Sequence, residues 1–219
     1  MTVRVVSDST CDIPASLVSE LGISLVPLTV RFGDEEFLDG VDITSEQFFK
    51  RLQREQATPS TAAPAPGQFR EVYERLITDG ATAIVSIHIS AKLSATYEAA
   101  RQAAEGLSVP VLLVDSGLFS LGTGVGVIEA AKAAAAGRTA EEVQAVAADT
   151  FRRTHVFVTL ETLEYLRRGG RLSRGQEIVG TLLKVKPILA AQDGEVAAIG
   201  RIRTKQKAVE DILLSLIHI

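Results

Sequence analysis

The chain has 219 residues, 46% hydrophobic and 23% charged, a balance that folds into globular domains and excludes a disordered polypeptide. Its net charge is -4, from 23 basic and 27 acidic residues, so no basic excess is available to neutralise phosphates and nucleic-acid binding is not expected. Cys11 is the single cysteine, which excludes an internal disulfide framework, and no apolar run is long enough to span a bilayer; with no signal-peptide pattern at the start, the expectation is a cytoplasmic protein without membrane insertion.

Strand-like runs and amphipathic helices alternate from the first residues. Residues 3–6, with three valines, are a short strand-like run and lead into polar Ser7-Asp8-Ser9-Thr10-Cys11-Asp12. Pro14 suits a first helical turn, Leu17, Val18 and Leu21 form an apolar face, and Gly22 ends that helix. A second strand is predicted over 25–30. Thr44 and Gln47 have capping-box spacing for a helix through Leu52. Pro59, Pro64 and Pro66 then stiffen a loop over 57–66 that can be neither helix nor central strand.

Phe69, Val72, Tyr73, Leu76 and Ile77 mark the next helix face, and the apolar runs 83–87 and 111–114 suit buried parallel strands, each followed by a helix. Gly137 closes one helix, and Thr139 with Glu142 opens another. A strand begins at 156–158. Residues 186–190 and 195–202 flank Asp193-Gly194 as a β-hairpin, and Thr204 caps a final helix. The alternation predicts an α/β fold: a parallel, Rossmann-like sheet with helices on both faces over 1–150, then a second α/β domain with a mixed sheet over 151–219. Residues 214–219 can be encoded by CTGTCTCTTATACACATC, which matches a transposon end used as a sequencing adapter; a genuine amphipathic helix end, continuing from Ile212 and Leu213, is the alternative, and the adapter is the favoured reading. The natural protein is therefore expected to be longer, and His218 to carry no function.

Several clusters carry candidate chemistry. The polar run 7–12 stands at a strand end, where open α/β sheets gather ligands, although capping of the next turn explains the same residues. The proline-stiffened loop could present Thr61 in a fixed place or simply space two helices. Ser94, in Ser90-Ala91-Lys92-Leu93-Ser94-Ala95-Thr96, could cap a helix or donate to a bound anion. Gly122-Thr123-Gly124-Val125-Gly126 begins like a phosphate loop, but Glu129 occupies the last glycine position, so close packing of a helix against the sheet is expected. The basic turn 167–174 could hold an anion, dock an acidic surface or end a helix. No His, Cys, Asp or Glu cluster has metal-ligand spacing, and no metal or other cofactor is expected. A serine or cysteine hydrolase using Ser9, Ser94 or Cys11 would need His88 or His155 as base.

In order and spacing these segments resemble the DegV family of bacterial fatty-acid-binding proteins. The resemblance runs from Val5 to Arg203 through Asp8-Ser9-Thr10-Cys11-Asp12, Val26-Pro27-Leu28, Thr61 to Pro66, Leu93-Ser94-Ala95-Thr96-Tyr97 and Asp115-Ser116. It continues through Leu163-Glu164-Tyr165-Leu166-Arg167-Arg168-Gly169-Gly170-Arg171-Leu172-Ser173, Gly180-Thr181-Leu182-Leu183 and Lys186-Pro187-Ile188-Leu189. It implies a two-domain DegV-like fold with a long-chain fatty acid buried between the domains, its carboxylate held by Thr61 and Ser94. It also implies a non-catalytic protein that presents the acid to a separate fatty acid kinase, with Arg171 as an anion or partner contact. The chain departs from the family where Ala62-Ala63 replaces Ser-Gln and Ala95 replaces Gly. The family also continues past this C-terminus. The alternatives are the small hydrolase or transferase above and a non-catalytic partner-binding domain.

Overall fold

Val3, Val5 and Val6, with the small polar Ser7, make a strand that is buried on both sides, and the first sheet is built around it. The computed structural model describes residues 2–55, 58–172 and 186–217, the last three as backbone only. The chain divides into two compact units, Met1–Arg153 and Thr154–Ile219. The first unit runs β1 (Val3–Asp8), a 3-10 turn (Ser9–Cys11), α1 (Ala15–Glu20), β2 (Ser24–Val26), β3 (Thr29–Phe32), β4 (Glu35–Leu38) and α2 (Ser45–Arg54). It continues with β5 (Ser60–Ala62), α3 (Pro66–Thr78), β6 (Ala83–His88), α4 (Thr96–Ala104), β7 (Val111–Asp115), α5 (Leu121–Ala135) and α6 (Ala140–Arg152). The second unit contains β8 (Phe157–Thr159), α7 (Glu164–Arg168), β9 (Lys186–Gln192), β10 (Glu195–Ile202) and α8 (Lys205–Ile217).

The main sheet of the first unit is parallel, in the order β2-β1-β6-β7. Val6 and Ile84 lie on the face covered by Phe69, Tyr73 and Leu76 of α3 and by Ala99, Ala100 and Ala103 of α4. The alternate residues Val3, Val5, Val85 and Ile87 are also buried, with α5 and α6 packed on the sheet. Burial on both faces explains why β1 and β6 read as continuous apolar runs rather than alternating ones. The α/β architecture with a parallel first sheet is thus as expected.

The strand expected over 25–30 is in fact two. Pro27 has no N–H for a ladder, and the chain leaves the parallel sheet there. β2 pairs with β1, whereas β3 is the centre of a separate antiparallel sheet in the order β4-β3-β5. β4 and β5 are unforeseen in the sequence, and β5 lies inside the expected proline loop as an edge strand. Val30, Phe32 and Ile43 form the core of this small sheet, with Phe37 and Phe48 against it.

Local signals account for most helix ends. Thr44 accepts from Gln47 N and the Gln47 side chain accepts from Thr44 N; Thr139 and Glu142 make the same reciprocal pair. Each box satisfies two N–H groups that the helix cannot. In the second unit, β9 and β10 form the expected hairpin, with φ of 51° at Asp193 and 80° at Gly194, the two positive values a tight primed turn needs. β8 and β10 both pair antiparallel with β9. Thr204 Oγ1 accepts from Lys207 N at the start of α8. The segment Gly180-Thr181-Leu182-Leu183, Ser173 and His218 lie outside the described residues.

Candidate functional site

The chain leaves β1 to one side for β2 and later enters β6 on the other side, so the crevice outside the C-terminal ends of β1 and β6 is the topological switch point. Both ends carry polar residues. Asp8, which closes β1, is fully buried. Its Oδ2 accepts from His88 Nδ1 at 2.9 Å and from Ile89 N at 3.3 Å, and its Oδ1 accepts from Thr10 N at 3.1 Å and from the Thr10 hydroxyl. His88 Nε2 meets Ser86 Oγ at 2.7 Å, and Ser86 Oγ meets Tyr73 OH at 2.8 Å, with the edge of the His88 ring against Phe69. Burial pushes the Asp8 carboxyl up, but the bonds from His88, Thr10 and Ile89 outweigh it and the net direction is down.

This chain of buried groups was not legible as a unit in the sequence. Ser86 lies in the run 83–87 read simply as a buried strand, and His88, one residue past it, is read only as a possible base for a hydrolase; β6 in fact extends through His88. Two polar side chains on one buried face require partners, and that requirement was the available signal.

Ser94 lies in the turn between β6 and α4. Its N donates to Ser90 O at 3.2 Å, and its Oγ accepts from Thr96 N at 3.3 Å and meets Thr96 Oγ1 at 2.8 Å. The side chain is half-buried and already serves the turn. Ala95, where the family has glycine, has φ of -73° and ψ of 1° and is exposed, so its backbone has no need of glycine. Thr61 stands on β5 opposite Val30 of β3, whose other neighbour is Phe37, which puts Thr61 on the same face as the small aromatic core. It is exposed and makes no side-chain hydrogen bond among the described residues. No hydrogen bond joins Thr61 to Ser94; both belong to the first unit. Arg171 belongs to the second unit, where it is exposed and its Nη1 donates to Gly169 O at 2.6 Å.

Other candidates resolve into structural roles. Burial pushes the Cys11 thiol up to about 11, and the side chain is inaccessible. His155 is exposed in the second unit. A Cβ on Gly124 would meet Cys11 O at 2.4 Å, and one on Gly126 would meet Phe151 Cε1 at 2.1 Å. The glycine run thus serves close packing as expected, but against the turn after β1 and against α6. A cavity of about 280 Å³ between Phe157, Ile188, Ile199 and Ile212 lies in the second unit and contains none of the predicted site residues. Among the described residues no group of His, Cys, Asp and Glu could hold a metal ion, and no helix is long and apolar enough to cross a membrane.

Residues 2–218 match a family model described as uncharacterised protein, DegV family COG1307. A DegV domain-containing protein of Streptomyces coelicolor is 38% identical over 207 residues, which are 94% of this chain and 73% of that protein. Among solved structures, a DegV family protein from Thermus thermophilus, described by its fatty acid binding, superposes with a TM-score of 0.90 at 38% identity, covering 100% of this chain and 78% of that one. DegV from Bacillus subtilis, described as a fatty acid binding protein, superposes with a TM-score of 0.90 at 30% identity, over 99% of this chain and 77% of that one. The match along nearly the whole sequence, and the same fold in both structures, mean that this chain belongs to the DegV family.

Proposed function

We propose that this protein binds a long-chain fatty acid without transforming it, holds the carboxylate with the hydroxyls of Thr61 and Ser94, and offers it to a separate fatty acid kinase in the cytoplasm. The observation that carries the reading is the similarity, at 38% identity over the whole chain, to a protein described by its fatty acid binding. The residues are chemically suited to the task. An ionised carboxylate beside apolar surface is costly unless it is hydrogen-bonded, and hydroxyl donors satisfy it without adding a second buried charge. Thr61 has an uncommitted hydroxyl, and Ser94 presents one from a turn fixed by its backbone. The alkyl chain supplies most of the affinity, at roughly 0.8 kcal/mol per buried CH₂.

A binding role also agrees with the buried residues. Asp8, His88 and Ser86 follow the order of a hydrolase triad, yet all three are fully buried and Ser86 Oγ is engaged by Tyr73. A substrate carbonyl has no path to Ser86, and Cys11 is a protonated, buried thiol. On this reading Arg171, in the exposed basic turn with Arg167 and Arg168, is an anion or partner contact suited to an acidic surface of the kinase.

Titration with stearic acid tests the head-group assignment. Thr61→Ala combined with Ser94→Ala should raise the Kd by roughly 100-fold or more, each lost hydrogen bond to a charged group being worth roughly 10- to 100-fold. Thr61→Ser in place of Thr61→Ala should recover part of the loss. Unchanged affinity in the double variant would overturn the assignment.

A further inference from the structure

We infer that Asp8 and Ser9 are positioning residues for the carboxylate site, together fixing the Ser94 turn and the Thr61 strand to one edge of the parallel sheet. The inference rests on the head-group assignment above and adds how the two hydroxyls are held in register. Ser94 and Thr61 come from different substructures, one following β6 and the other on the edge of the β4-β3-β5 sheet. Two hydroxyls can serve one carboxylate only if their elements keep a fixed separation.

The connections run through adjacent residues. On one side, Asp8 Oδ2 accepts from Ile89 N at 3.3 Å and from His88 Nδ1 at 2.9 Å. The next residue, Ser90, donates its N to Leu118 O, and its carbonyl accepts from both Leu93 N at 2.9 Å and Ser94 N at 3.2 Å. On the other side, Ser9 Oγ accepts from Leu28 N at 3.1 Å, one residue before β3, and Val30 of β3 pairs with Thr61. Leu28 is buried, and this hydroxyl takes up an N–H released where Pro27 ends the β2 ladder.

The residue types fit the duty. All four groups facing the Asp8 carboxylate are donors, namely two backbone N–H groups, the Thr10 hydroxyl and the His88 ring N–H. Only an acceptor-only group satisfies them, and an amide would turn a donor toward a donor. Capping of the 3-10 turn alone would account for Thr10, but not for the bonds to Ile89 and, through Ser9, to Leu28.

A double-mutant cycle read by stearic acid titration separates positioning from stability. Ser9→Ala should weaken binding about five- to tenfold, near the worth of one neutral hydrogen bond, and Ser9→Thr should restore most of it. In the Ser9→Ala background the further effect of Thr61→Ala should shrink to less than half of its value in the parent, on a logarithmic scale, because Thr61 is no longer held in register. Asp8→Asn should likewise shrink the effect of Ser94→Ala. Thr139→Ala, which removes the cap of α6, serves as the stability control: it should lower the melting temperature and leave the Thr61 increment intact. Equal Thr61→Ala increments in the parent and Ser9→Ala proteins would overturn the inference. A parent protein that binds no stearic acid would instead remove the fatty-acid reading on which it stands.

Discussion

Asp8 is a carboxylate removed from water, and it is tolerable there because each oxygen accepts two hydrogen bonds. Those bonds hold the folded-state pKa below the usual 3.8. A depressed carboxyl contributes stability above its unfolded value and loses it as pH falls through the folded one, so the contribution is complete above about pH 4 and disappears in more acidic solution. Asp8→Asn should therefore give a flatter acid limb in a plot of melting temperature against pH than the parent; an equally steep limb would show that Asp8 does not drive it. Cys11 makes the opposite case. Its thiol is pushed up to about 11 by burial, so alkylation by iodoacetamide at pH 8 should be at least about a hundredfold slower in the native protein than in urea. Both residues were visible in the sequence as members of one polar run. Asp8 becomes a buried hydrogen-bond hub through residue 88 of a strand 80 positions away, a partnership set by the strand order, whereas Cys11 is inert because it is buried in the turn on which α5 packs.

At the scale of elements, legibility followed the range of the signal. The two capping boxes, the glycine stops and the Asp193-Gly194 turn are local, and the structure has them where the residues call for them. The small β4-β3-β5 sheet was illegible because its strands are three or four residues long and its pairing is decided by tertiary packing. Thr61 was therefore read on a loop when it sits on an edge strand, which gives its hydroxyl a defined face. The helix-packing glycines carry a direct test. Gly126→Ala would place a methyl 2.1 Å from the Phe151 ring and should cost about 1–3 kcal/mol in urea unfolding, with Phe151→Leu recovering part of it. Gly124→Ala meets a backbone carbonyl, which has less freedom to yield than a side chain, and should cost more. A neutral effect at both positions would contradict the packing assigned to α5.

For the whole molecule, strand–helix alternation was enough to read an α/β fold with a parallel first sheet, because burial on both faces leaves continuous apolar runs that β1 and β6 display. Function was less legible. Each hydroxyl of the proposed site has an ordinary local explanation, and Ser94 indeed bonds within its own turn. The proposal of Thr61 and Ser94 rests on the ordered set of family segments along the chain, and the relatives described by their fatty acid binding support the class of ligand rather than the two residues. The most direct test of that account is denaturing extraction of the purified protein followed by mass spectrometry of the extract. The account predicts a long-chain fatty acid in an amount approaching one per chain, or stoichiometric uptake of added stearic acid after delipidation. A protein that carries no fatty acid and takes none up would contradict it.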